Sequence, residues 1–229
     1  MIFDPLYLLL ALPAMLLGLY AQAKVKSNFN KYSQVRTARS QTGAEVARAL
    51  LNSRGLYEVQ VEESQGFLSD HYDPRSRTLR LSPGVYRSPS VAAAGIAAHE
   101  MGHALQHANG YVPLQIRSAL VPAVQFGSSL APWIIIIGFV IQFYSLAWLG
   151  VILFSGAVLF SLVTLPVEFD ASRRAKQLLV SEGLLSVHET EGVNKVLDAA
   201  ALTYVAAAIA AIGQLLYWVL RLSGVARRD

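Results

Sequence analysis

SALVPAVQFGSSLAPWIIIIGFVIQFYSLAWLGVILFSGAVLFSLVTLPV, residues 118–167, contains no Asp, Glu, Lys or Arg and lies between Arg117 and Glu168. One helix needs about 20 apolar residues to cross a hydrocarbon layer. Fifty residues are therefore too many for one span and suit two, joined by a tight turn near Gln142 to Ser145. Pro122 and Pro132 fall in the first of the two. Membrane helices tolerate the kinks they cause, because neighbours satisfy the freed carbonyls. The expected fold class follows: a mainly α, integral membrane protein. Composition agrees, with 54% hydrophobic and only 15% charged residues, against roughly 25% charged in an ordinary soluble domain.

Two further apolar runs flank this hairpin. Residues 5–23 (PLYLLLALPAMLLGLYAQA) carry no charge and read as a first span, within an anchor at 1–23. Ala21-Gln22-Ala23 resembles a signal-peptidase site, but Asp4 precedes the run and no Lys or Arg does, which is the wrong start for a signal peptide. The expectation is an uncleaved anchor. Residues 199–220, within a C-terminal segment 199–229, are a candidate fourth span whose alanines suit close helix packing. Basic residues set the orientation. Lys24, Lys26, Lys31, Arg36 and Arg39 follow the first span, and Arg173, Arg174 and Lys176 follow the hairpin. The positive-inside rule places both groups in the cytoplasm. Arg227 and Arg228 would then lie outside if the fourth span crosses.

Between the first span and the hairpin, residues 24–117 have mixed composition and read as a small α+β part at the membrane surface. QTGAEVARALLN (41–52) is an amphipathic helix with Thr42 and Glu45 placed as a capping box. YEVQV (57–61) and TLRLS (78–82) alternate like strands, and DHYDPRSR (70–77) reads as a turn. Ser90 caps a helix that stops at Asn109-Gly110. The chain has no cysteine, so any zinc must be held by imidazole and carboxylate. The net charge of +4 comes with no basic cluster interleaved with aromatics, and no nucleic-acid partner is expected.

The Ser90 helix carries the chemistry. In AAHEMGHALQHANG (97–110), His99 and His103 stand four apart with Glu100 directly after the first. Positions i and i+4 share a helix face, so two imidazoles can converge on one zinc ion. Glu100 would face the position left open, where a carboxylate can take a proton from water and return it to a leaving amine. Gly102, Ala98 and Ala104 leave room for close approach. A catalytic zinc site takes three protein ligands. His107 is on roughly the same face, but an unbroken helix carries it about 12 Å from His99. It is expected to hydrogen-bond or pack at the helix end instead. Glu168, at the end of the third span, is the favoured third ligand, because carboxylates at such places are costly and usually functional. An ion pair with Arg173 or Arg174 is its alternative use, and Asp170 is a rival ligand. Residues 168–198 are expected to be a helix bearing this ligand.

HExxH with a distant helical Glu resembles the gluzincin peptidases. The ExxxD element of membrane proteases of the HtpX and CAAX-prenyl types becomes Glu168-Phe169-Asp170-Ala171-Ser172, with Ser172 at the closing position. Over nearly its whole length the chain is similar to the YugP-like neutral zinc metallopeptidases. Their DHYDP, LRLS, HEMGHALQH and PVEFDAS elements match 70–74, 79–82, 99–107 and 166–172. The resemblance implies a zinc-dependent membrane endopeptidase with a zincin-like α+β domain at the membrane surface, one zinc, His99, His103 and Glu168 as ligands and Glu100 as base. The expected partners are the bilayer and a protein or peptide substrate, with substrates in or beside the membrane; a regulatory partner or an oligomer is left open. A non-catalytic zinc-bearing scaffold is the alternative, and Glu100 speaks against it. A metal transporter is disfavoured by the absence of charge inside 118–167.

Four residues are weaker candidates for contacts to substrate or transition state. Leu79 and Leu81 belong to a strand that could pair with an extended substrate, or could be an ordinary internal strand. His71 is an oxyanion donor or, alternatively, bonds Asp73. Tyr204 is a phenolic donor or a packed tyrosine. His188 is read as solvated in a polar loop.

Overall fold

In the computed structural model the described residues are 4–66 and 69–225, so Arg227 and Arg228 lie outside them. Seven helices and three strands follow in the order α1 (Pro5–Tyr32), α2 (Gly43–Ser53), β1 (Gln60–Glu63), β2 (His71–Asp73), β3 (Thr78–Leu81), α3 (Pro83–Tyr86), α4 (Val91–Ala108), α5 (Val112–Val140), α6 (Tyr144–Ser181) and α7 (Val187–Val225). Four of the helices, α1, α5, α6 and α7, are long and apolar enough to cross a membrane. The chain divides into two compact units.

The first unit takes residues up to 21, 115–165 and 203 onward. Its hairpin turns where expected, between Val140 and Tyr144, with Gln142 at a left-handed φ of 58°. Glycines let its helices meet backbone to backbone. A Cβ on Gly138 would stand 2.5 Å from the Ala147 nitrogen, and one on Gly213 would stand 2.9 Å from the Leu10 carbonyl oxygen. Membrane helices associate through such small-residue contacts. Tyr217, Trp218, Ile135, Ala147, Val151 and Leu222 form the core of this unit. At its edge Tyr217 donates to Asp4 at 3.1 Å, and Arg221 pairs with the same carboxylate.

The second unit, residues 22–114 and 166–202, is built around α4. Ala92, Ala93, Ala94, Ala97, Ala98 and Met101 are fully buried. Small side chains let neighbouring elements close on the helix from several sides. Gly95 serves the same end, since a Cβ there would lie 3.1 Å from a Val193 methyl group. The N-terminus of α4 is capped by the Ser90 hydroxyl, which accepts from the Ala93 N–H. Thr42 and Glu45 form the expected capping box on α2.

The sheet has the order β1-β3-β2, with β1 parallel and β2 antiparallel to β3. Three readings of this region change. The first strand starts at Gln60 rather than Tyr57. The DHYDP stretch is β2 and only then a turn: its backbone pairs His71 with Arg80 and Asp73 with Thr78, and the Asp73 carboxylate holds the following turn by accepting from the Arg75 N–H and the Ser76 hydroxyl. The third change concerns β3, which is the central strand. Both its edges are occupied, and Leu79 and Leu81 are fully buried in the core. Leu79 is paired on both sides, and the side chains of both leucines are shut in the core, so neither is placed to contact a substrate.

SVHETEG is also not a loop. Ser186 and Glu189 cap the start of α7 reciprocally: the Glu189 carboxylate accepts from the Ser186 N–H, and the Ser186 hydroxyl accepts from the Glu189 N–H. The S-x-x-E spacing signals this box. His188 is exposed on that first turn.

Candidate metal centre

The second unit brings three titratable side chains together. His99 and His103 sit one turn apart on α4, their rings 4.8 Å apart and nearly perpendicular. Glu168 comes from α6 and is 1% exposed. Its Oε2 lies 3.2 Å from His99 Nε2 and 3.7 Å from His103 Nε2. One ligand atom from each residue falls within 4.8 Å of the others. Zinc bonds of ~2.0–2.1 Å to nitrogen or oxygen, arranged tetrahedrally, separate neighbouring donors by roughly 3.4 Å. Two imidazole nitrogens and one carboxylate oxygen at these separations therefore fit a zinc ion.

The approach of α4 to α6 that makes this possible depends on Gly102. A Cβ there would lie 2.7 Å from the Ala171 carbonyl oxygen and 3.1 Å from its Cα. Only a residue without a side chain lets the two backbones close at the level of the site.

Each histidine has a second partner through Nδ1. For His99 it is the Ser172 hydroxyl at 3.1 Å, and for His103 it is Gln106 Oε1 at 3.0 Å. Such partners fix ring orientation in metal sites. Ser172 is four residues after Glu168, one turn along the same face of α6, and Gln106 is three after His103. These spacings were readable in the sequence, but neither residue type ligates metal, so neither stood out.

Glu100 is buried, at 8% exposure. Burial opposes charge on His103. The nearby Glu168 carboxylate, the Glu100 charge and the bond to Gln106 outweigh it and raise the His103 pKa above that of ordinary imidazole. The local field thus favours a cation between these groups. Asp70 is a further acid within the field of Glu100. Burial raises its pKa, bonds from the Ser82 N–H at 2.8 Å and the Ser82 hydroxyl oppose the rise, and the Glu100 charge adds to it.

Three of the remaining candidates have other partners. His107 Nδ1 lies 2.9 Å from the Tyr72 hydroxyl, the hydrogen-bonding role expected of it at the helix end. Asp170 is not in the cluster; it accepts from Arg173, Arg174 and Gln106. The ion pair weighed for Glu168 therefore belongs to Asp170. His71 is exposed, and its Nδ1 lies 2.8 Å from the Ser69 carbonyl rather than near Asp73. Tyr72, its neighbour in β2, reaches α4, and strand alternation turns His71 to the opposite face. It is not an oxyanion donor for this site. Tyr204 lies on α7 in the first unit, whereas the three clustered side chains belong to the second.

Comparison with known proteins agrees with this chemistry. Residues 7–223 match the model of a family described as "Putative neutral zinc metallopeptidase". The chain is 51% identical over 215 residues to a Bacillus subtilis (strain 168) protein named "Putative membrane protease YugP", covering 94% of this chain and 96% of that one. No solved structure matches.

Proposed function

The chain belongs to the neutral zinc metallopeptidase family, and from that premise we propose that it is an integral-membrane zinc endopeptidase of the gluzincin type. His99, His103 and Glu168 hold one zinc per chain, and Glu100 is the general base. The observation that carries this reading is the His–His–Glu cluster, with His103 and Glu168 buried and Glu100 on the helix of the histidines, in a chain with four helices apolar enough to span a membrane. When bound, zinc supplies Lewis acidity, making water more acidic and polarising a peptide carbonyl.

The protein side chains do the rest. Glu100 takes a proton from the attacking water and hands it to the amine as the peptide bond breaks. Its burial keeps competing water away from that proton. Ser172 and Gln106 hold the two imidazoles in orientation. An extended substrate would add at an outer strand of the sheet. Of the two outer strands, β2 is the one joined to α4 by the Tyr72–His107 bond. The site works at the cytoplasmic membrane surface, on membrane proteins or their juxtamembrane segments. The basic residues following the first span and the hairpin support that side.

The decisive experiment is Glu100→Gln in the detergent-solubilised full chain. Zinc content should stay near one per chain, while cleavage of an unfolded protein substrate falls by at least ~10²-fold. Activity equal to wild type would remove Glu100 from the mechanism.

A further inference from the structure

Gln106 is wholly buried in the second unit, yet its amide makes three hydrogen bonds. Oε1 meets His103 Nδ1 at 3.0 Å, and Nε2 donates to the Val167 carbonyl at 2.8 Å and to Asp170 Oδ2 at 2.9 Å. Only one orientation of the amide satisfies all three. A backbone carbonyl can only accept, so the NH₂ group must face Val167. The opposite orientation would set oxygen against the Val167 carbonyl and the Asp170 carboxylate together. With the amide oxygen therefore toward His103, Nδ1 must carry a hydrogen. In neutral His103 this leaves the Nε2 lone pair free, and Nε2 is the atom 3.7 Å from Glu168.

The same amide spans two elements. Val167 directly precedes Glu168 on α6, and Asp170 follows two residues later. One side chain on α4 thus grips α6 on both sides of the carboxylate while holding a histidine of its own helix. We infer that Gln106 is a positioning residue of the metal centre: it fixes the tautomer of His103 and locks Glu168 in register with α4. This rests on the reading of His99, His103 and Glu168 as zinc ligands.

The test uses the solubilised full chain and zinc alone, with affinity read by competition against a chelating dye. Gln106→Met keeps the volume and loses all three bonds. It should bind zinc about 10- to 100-fold more weakly, the usual cost of losing such an outer partner. Gln106→Glu in its protonated form still offers a carbonyl to His103 and a hydroxyl to Asp170, and should recover most of that loss. A second readout is the ¹⁵N spectrum of histidine-labelled, metal-free protein at a pH above the imidazole range, with the His103 signal identified by its loss in His103→Gln. Wild type should carry the proton on Nδ1, and Gln106→Met should show a mixture of tautomers. Wild-type affinity in Gln106→Met, or no recovery in Gln106→Glu, overturns the inference. If Gln106→Met does not fold, the wild-type spectrum decides, and a proton on Nε2 overturns it. His99→Ala separates the two levels. If it binds zinc as wild type does, the ligand assignment fails; if it loses zinc while Gln106→Met does not, only the role of Gln106 fails.

Discussion

Ser172 stands at the closing position of the ExxxD pattern that Glu168 to Ser172 resembles. Its hydroxyl still reaches His99 Nδ1, at 3.1 Å. His99 therefore has a neutral partner here. Ser172→Ala should weaken zinc binding by about 10-fold or more while leaving the fold intact, as read by dye competition and thermal unfolding. An unchanged affinity would mean that the hydroxyl does not orient the ring. Asp70 supports a different prediction, because its carboxyl is raised in the folded chain mainly by burial and also by the Glu100 charge. A carboxyl with a raised folded pKa costs stability that grows as pH rises from the unfolded value of about 3.9 to the folded pKa, is complete above it, and is absent below the unfolded value. Asp70→Asn keeps an oxygen for the Ser82 bonds and removes the charge. Its melting temperature should exceed that of wild type at a pH of about 8, and the gain should shrink as pH falls toward about 4. A gain that does not change with pH would exclude the charge as its cause.

At the level of elements, the contact of α4 with α6 is a sensitive joint of the second unit. Gly102→Ala puts a methyl group 2.7 Å from a backbone oxygen, which cannot rotate away. Overpacking of this kind costs about 1–3 kcal/mol, and the displacement falls on the helices that carry His99, His103 and Glu168. Gly95→Ala is the control. Its nearest neighbour is a Val193 methyl at 3.1 Å, and a side chain can adjust. The first variant should lose both thermal stability and zinc affinity, the second should lose only stability, and less of it. Equal effects would show that the site does not depend on the approach at Gly102. Much of the helical pattern was legible in the sequence because caps and apolar runs are local signals: Thr42 with Glu45, Ser90, and the turn after Val140 all stand where the residues predict. The expected helix over 168–198 does not: α6 carries the third span on through Glu168 to Ser181, and the last helix begins at Val187 rather than 199, because the Ser186–Glu189 capping box starts it there. The sheet was less legible. Asp73-Pro74 does mark a turn, but nothing local says that His71 to Asp73 pairs with β3, or that β3 is paired on both sides. Those are long-range facts, and they remove Leu79, Leu81 and His71 from the list of contacts. For the candidate site, His99, His103 and Glu100 could be read from spacing on one helix. Glu168 needed its place at the end of an apolar run and the family pattern. Gln106 and Ser172 act through other residues, and their types carry no chemical signature.

For the whole molecule, the spans bury little of themselves within the chain. Between 11% and 28% of each apolar window is buried. Leu9, Phe126, Trp133 and Ile152 are each more than 60% exposed. An apolar surface of that extent is not sustainable in water, and a bilayer is the solvent that suits it. The orientation of the protein in that bilayer is open to a direct test because the chain has no cysteine of its own. Ser145→Cys places a near-isosteric thiol at the exposed hairpin end, and Arg75→Cys places one on the exposed turn between β2 and β3. If basic residues face the cytoplasm on both sides of the hairpin, its turn points outward. A membrane-impermeant maleimide should then label Ser145→Cys in intact cells and reach Arg75→Cys only after the cells are opened. The reverse pattern would put the metal centre on the outer side, and the proposed cytoplasmic substrates would have to be abandoned. Labelling of both thiols in intact cells would show that the hairpin does not separate them, and that 118–167 does not cross the membrane twice.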